Sequence, residues 1–282
     1  MHRLRPASVW IAAPLLLAAV TALAGRDALP WSASEGTGDP AIVLIHGAGA
    51  DRSAWDFVAP LLSRTHRVVL VELPGHGASA AIERVSVKEV ARAVDRALER
   101  QKVERAVLVG HSYGAWVALE TAMARPKRAA AVVALDTGTF APPDTARVAS
   151  LERHLKERYP SLVRVIFEVM SEDPVESDSA VAIALRVPPE VLSGYLRDAW
   201  RVDLRPRLRS LKTPVTVITG AATWPASAPW EVAKVQLGYE TAGDVRGYRL
   251  SRASHLLMRD QPDSLAALIE QVAGSVGTRG AR

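Results

Sequence analysis

A serine stands between two glycines in Gly110-His111-Ser112-Tyr113-Gly114. The pentapeptide follows an apolar, β-branched run at Ala106–Val109 and precedes a helix-forming stretch from Gly114 to Arg125 that stops at Pro126. A strand that turns sharply into a helix needs small residues two before and two after the turning position. Ser112 would then sit on a strained turn at the positive end of a helix, with its hydroxyl proud of the surface. The chemistry on offer is nucleophilic attack on a carbonyl.

A lone serine hydroxyl is a weak nucleophile and needs a base, an orienting group and donors for the oxyanion. Of the seven histidines, His2 lies in the leader, and His66 and His154 sit among charged residues and read as solvated. His76, in Leu73-Pro74-Gly75-His76-Gly77, reads as part of a structural turn, and His111 is expected to point away from its neighbour Ser112. His255 remains. It follows the run Val245–Leu250 and enters an apolar helix start at Leu256-Leu257-Met258, where a base from the last crossover would arrive. The oxyanion donors are expected from the backbone N–H groups of Ala48, in the small-residue loop His46-Gly47-Ala48-Gly49-Ala50, and of Tyr113. That loop fits neither phosphate-binding glycine pattern.

These side chains must be held by the elements around them. Ala41–His46, Arg67–Val71, Ala106–Val109, Ala130–Leu135 and Val215–Thr219 are short apolar runs that read as strands covered on both faces. Helical stretches alternate with them. Ser86-Val87-Lys88-Glu89 is a capping box for a helix running to about Gln101, and a last helix is expected from near Asp263 to a stop before Gly274. The fold class is α/β: a mostly parallel, twisted sheet with helices on both faces. Residues 25–40 read as a loop or weak edge strand. Residues 139–212 hold no strand-like run, only helical pieces broken by prolines, and read as a helical lid over the carboxyl edge of the sheet. The acidic run from Ser171 to Asp178 reads as a solvated turn. Residues 25–138 and 213–282 thus form the two parts of one core.

The amino terminus carries Arg3 and Arg5 ahead of an apolar run from Ala7 to Ala24 that closes on Ala22-Leu23-Ala24. Residues 1–24 read as a secretory signal cleaved after Ala24, with an uncleaved membrane anchor as the alternative. The expectation is an exported protein, periplasmic or secreted, touching a membrane only through that segment. The chain has 282 residues, 49% hydrophobic and 23% charged, which excludes global disorder. It has no cysteine, which removes disulfides, thiolate metal sites and a Cys nucleophile together. A net charge of +5 without a basic stripe argues against a nucleic-acid partner. No metal and no cofactor is expected, and the only partner expected is a small acyl substrate.

From about Ala41 to Ala273 the sequence resembles the α/β-hydrolase superfamily, on four matches in order. These are His46-Gly47 after the first strong strand, Leu73-Pro74-Gly75-His76-Gly77 after the next, the Gly110–Gly114 elbow and the His255 segment. The resemblance implies a triad in the chain order Ser, acid, His, and a lid inserted after Ala130–Leu135. The acid departs from the pattern. The position that usually carries it, three residues past Gly220, is Thr223. Asp136, at the end of Ala130–Leu135, is the better candidate, and Glu231 or a lid carboxylate are the alternatives. The reading is a serine hydrolase of small carboxylic esters or related acyl compounds, using Ser112, His255 and Asp136. Trp224 and Trp230 are candidates for the pocket wall as well as for the core. A carbon–carbon bond hydrolase or peroxidase-like relative with the same triad is the rival among enzymes. A catalytically impaired ligand-binding fold, favoured by Thr223, is the rival outside them.

Overall fold

The computed structural model describes residues 30–140 and 144–280. The segment read as a signal or anchor, residues 1–24, lies outside the described residues. Seven strands form one sheet: β1 (Ser32–Glu35), β2 (Ala41–Ile45), β3 (Val68–Val71), β4 (Ala106–His111), β5 (Ala129–Leu135), β6 (Val215–Gly220) and β7 (Val245–Leu250). Their order across the sheet is β1-β3-β2-β4-β5-β6-β7. Only β1 runs antiparallel, pairing Ser32 with Val71 at the edge, where the sequence allowed no more than a weak edge strand. The other pairs are parallel.

The run of β-branched residues in each central strand follows from burial on both faces. Because side chains alternate along a strand, Val43, Ile45 and Leu108 join one core layer while Ile42, Leu44, Val107 and Val109 join the other. The first layer packs under α2 (Val87–Arg100) and α3 (Tyr113–Ala124), and the second under α1 (Ala59–Leu62) and α11 (Pro262–Gly280). Each fully buried Val or Leu contributes about 1.5–3 kcal/mol. The Ser86 hydroxyl caps α2 by accepting from the Glu89 N–H at 3.3 Å, as the capping box requires.

Between β5 and β6 the described residues form five helices: α4 (Thr145–Glu157), α5 (Tyr159–Phe167), α6 (Pro174–Arg186), α7 (Pro189–Ala199) and α8 (Arg205–Leu208). Prolines at the first positions of α5, α6, α7 and α8 explain the breaks: each sits where its missing N–H costs nothing. The core resumes with β6, α9 (Trp230–Gln236), β7, α10 (Leu257–Asp260) and α11. The last helix passes through Gly274 to Gly280 instead of stopping there. Nothing lies within 4 Å of a Cβ built on Gly274, so the helix continues with only glycine's intrinsic cost of about 1 kcal/mol.

The chain leaves β2 toward α1 on one face of the sheet and leaves β4 into α3 on the other. The connections diverge between these neighbouring strands, and a crevice opens at their carboxyl ends. The His46–Ala50 loop and Ser112 both lie there.

Candidate active site

Ser112 joins β4 to α3 with φ +52 and ψ −119, a conformation costly for any residue with a Cβ. The flanking glycines make it possible. A Cβ on Gly110 would collide with the Gly114 carbonyl, and one on Gly114 with the carbonyls of Ile45 and His46. Tyr113 opens α3, so its N–H is a first-turn donor with no partner inside the helix.

Asp136 continues β5 by one residue, also at positive φ (+48). Its N–H donates to the Ile218 carbonyl at 2.8 Å, which fixes the carboxylate at the sheet edge. Oδ2 lies 2.7 Å from His255 Nδ1 and accepts from the Thr223 hydroxyl at 2.9 Å; Oδ1 accepts from the Gly220 N–H at 2.7 Å. Burial alone would push this carboxyl up, but the hydrogen bonds from His255, Gly220 and Thr223 and the attraction of His255 hold it below its ordinary value. Asp136 is thus an ionised, hydrogen-bonded carboxylate, and the bond to it makes His255 Nδ1 the donor. His255 Nε2 is left as the basic nitrogen.

Thr223 therefore does not replace the acid. It is a neutral donor to a carboxylate that arrives from the neighbouring strand. Glu231 is exposed in the first turn of α9 and takes no part in this arrangement.

The loop after β2 is held by two buried histidines. His76 Nε2 accepts from the Gly49 N–H at 2.9 Å, and His46 Nε2 accepts from the Leu73 N–H at 3.1 Å. Burial, with the neighbouring His46, pushes His76 down to about 3, and burial also lowers His46, so both are neutral acceptors. His111, expected to point away, instead packs its ring 4.5 Å from that of His255 and donates from Nε2 to the His255 carbonyl at 2.9 Å. Burial and the nearby His255 push it down to about 3. Buried there, the ring is neutral and braced against His255.

One cavity of about 250 Å³ joins these groups, lined by Ala48, Ser112 and His255 on the core side. The helical insertion supplies the apolar Phe167, Met170, Ala180 and Ile183 on the other, together with Glu176 and Ser179, and Arg259 reaches the same cavity from α10. Trp224 and Trp230 do not line it. They pack against each other at 5.2 Å, Trp224 buried, as part of the core alone. Among the described residues, no three His, Asp or Glu side chains converge as metal ligands.

A model of the alpha/beta hydrolase family matches residues 42–268, which spans every element of this site. The chain belongs to that family. It is similar to the pimeloyl-[acyl-carrier protein] methyl ester esterase of Citrobacter koseri, 31% identical over 208 residues, covering 67% of this chain and 78% of the esterase. It is also similar to the dihydrolipoyllysine-residue acetyltransferase component of the acetoin cleaving system of Pseudomonas putida, 38% identical over 109 residues. That match covers 38% of this chain, and the chain spans only 30% of the length of the acetyltransferase component. Among solved structures, the enol-lactonase of Burkholderia xenovorans LB400 superimposes with a TM-score of 0.76 at 20% identity, covering 88% of this chain and 98% of that one. The hydrolase fold accounts for the seven-stranded sheet and for the elbow at its centre.

The sequence brought out Ser112, His255, Asp136, Ala48 and Tyr113, and the fold gathers them at one sheet edge. It missed the bracing by His111 and the donors from Thr223 and Gly220. The signal for Thr223 was present: an uncharged hydrogen-bonding residue in the slot where a carboxylate is usual, one strand away from an unexplained strand-end aspartate.

Proposed function

We propose that this protein is a serine hydrolase that cleaves small carboxylic esters or related acyl compounds. Ser112 attacks the carbonyl carbon, and His255 Nε2 takes the hydroxyl proton. The backbone N–H groups of Ala48 and Tyr113 hold the oxyanion of the tetrahedral intermediate. His255 then returns the proton to the leaving alcohol, and water, deprotonated by the same histidine, releases the acid. Asp136 keeps Nδ1 protonated and stabilises the imidazolium. The observation that carries the reading is the 2.7 Å contact of His255 Nδ1 with a buried, multiply hydrogen-bonded Asp136, in the cavity that also holds the strained Ser112.

The modest cavity with apolar insertion-side walls supports a small acyl group. So does the likeness to an esterase, while Asp136 in the triad removes the reason to favour an impaired binding protein. Residues 139–212 act in this reading as the lid that carries those walls. The apolar segment 7–24 supports export to the periplasm or beyond, or anchoring to the membrane with the hydrolase outside the cytoplasm. The test is hydrolysis of a p-nitrophenyl ester series by wild type and Ser112→Ala. Turnover of short-chain esters that Ser112→Ala abolishes bears the proposal out. Equal turnover by both proteins would end it.

A further inference from the structure

His255 is held by its backbone as well as by its ring. Its N–H donates to the carbonyl of Met170 in the helical insertion at 3.1 Å, while its own carbonyl accepts from His111. A second tie joins the same two segments. Arg259, four residues past His255, donates from Nε and Nη2 to the two carboxylate oxygens of Glu176, both at 2.9 Å, and its guanidinium lies 4.2 Å over the Phe57 ring.

Each segment is internally stiff. Ser254 donates from N–H and hydroxyl to the Asp260 carboxylate at 2.6 and 2.5 Å, closing the loop that carries both His255 and Arg259. On the insertion side, Ser177 Oγ donates to the Ser171 carbonyl at 3.0 Å and the Asp173 N–H donates to Ser171 Oγ at 3.1 Å, coupling Glu176 to Met170. A two-point bond between Arg259 and Glu176 fixes distance and orientation together, which a single hydrogen bond does not.

We propose that the Glu176–Arg259 pair is a positioning element for the base: it sets where the Met170 carbonyl meets the His255 N–H, and so couples the seating of the insertion to the reactivity of Ser112. The inference rests on the reading of Ser112 and His255 as nucleophile and base. Both side chains also line the cavity, but they hold each other and exchange no proton with substrate in that reading. Misplacement of a catalytic group by about 1 Å costs up to about 100-fold, so loss of the pair lowers kcat by about 10- to 100-fold.

The experiment compares wild type, Glu176→Ala, Arg259→Met and the double variant, each checked for cooperative thermal unfolding. It reads kcat and KM on a short and a long p-nitrophenyl ester and the rate constant of labelling by a fluorophosphonate. Expected are equal falls in kcat and in labelling rate in both single variants. KM stays within about two-fold on either ester, and the double variant is no slower than the singles because the two residues act as one unit. Unchanged kcat in folded variants, additive losses in the double, or a KM rise confined to one ester would overturn the pair's positioning role. Wild type that fails to label would instead overturn the underlying reading of Ser112 and His255.

Discussion

The neutral histidines buried around the carboxyl edge of the sheet make the fold sensitive to mild acid. His76 and His111 are pushed down to about 3 from an ordinary 6.5. The unfolded chain therefore binds more protons than the folded one throughout the interval between those values. Stability rises with pH wherever the unfolded state binds more protons, so their contribution is fully present above pH 6.5 and drains away as pH falls toward 3. Each group costs about 1.4 kcal/mol per pH unit inside that window. Between pH 7 and 4.5 the loss is about 2–3 kcal/mol per histidine, a large share of a total stability of about 5–15 kcal/mol. Burial of His46 acts in the same direction. Asp136, held below its ordinary 3.8, contributes its own loss only at lower pH, while Asp198, pushed above 3.8 by burial, works in the opposite direction to the histidines. Urea unfolding followed by tryptophan fluorescence at pH 7, 6, 5 and 4.5 should show the midpoint falling steadily. His76→Gln keeps an acceptor for the Gly49 N–H but does not titrate, and should cut the pH-dependent loss by about a third to a half. A midpoint that stays flat from pH 7 to 4.5 in the wild type would refute the reasoning, because it would mean that these rings are protonated or solvated in the folded protein.

Asp136→Asn should retain the fold and lower kcat by about 10²–10⁴-fold in ester hydrolysis, since Nδ1 loses its anionic partner. Thr223→Val removes one donor to that carboxylate and should cost about ten-fold in kcat, with Thr223→Ser close to wild type; steady-state kinetics on one ester reads both. Ala180→Trp fills the insertion side of the cavity. It should lower kcat/KM for long acyl chains at least ten-fold more than for acetate, measured across a chain-length series. Asp198→Ala strands the Tyr113 hydroxyl and the Val87 N–H, which donate to that carboxylate at 2.7 and 2.8 Å, and should lower stability by about 1–3 kcal/mol in chemical denaturation.

Much of this architecture is written in local patterns. The strands β2 to β6 are largely apolar runs because both faces of the sheet are covered, and the elbow is legible because only glycine tolerates the contacts at 110 and 114. What escaped the sequence depends on register between distant segments. The contact of Thr223 with Asp136 spans two neighbouring strands, and whether a side chain or a loop reaches the carboxylate is decided by where β6 ends relative to β5. The His111 ring sits one residue from Ser112, yet its direction is fixed by the His255 carbonyl, 144 residues away. Glu176, the partner of Arg259, lies inside an acidic run that reads as a solvated turn until the insertion folds back on the loop after β7. Gly274 looked like a helix stop because a glycine at that position usually is one, but the end of a solvent-flanked helix is set by its neighbours' packing as much as by one residue.

The central claim is that Ser112 is an activated nucleophile in a complete triad. Intact-mass spectrometry of the folded protein before and after exposure to a fluorophosphonate tests it most directly, with Ser112→Ala and Asp136→Asn alongside. Expected are one adduct on wild type, none on Ser112→Ala, and labelling slowed by orders of magnitude in Asp136→Asn. Folded wild-type protein that stays unmodified, or an adduct that persists in Ser112→Ala, would contradict it.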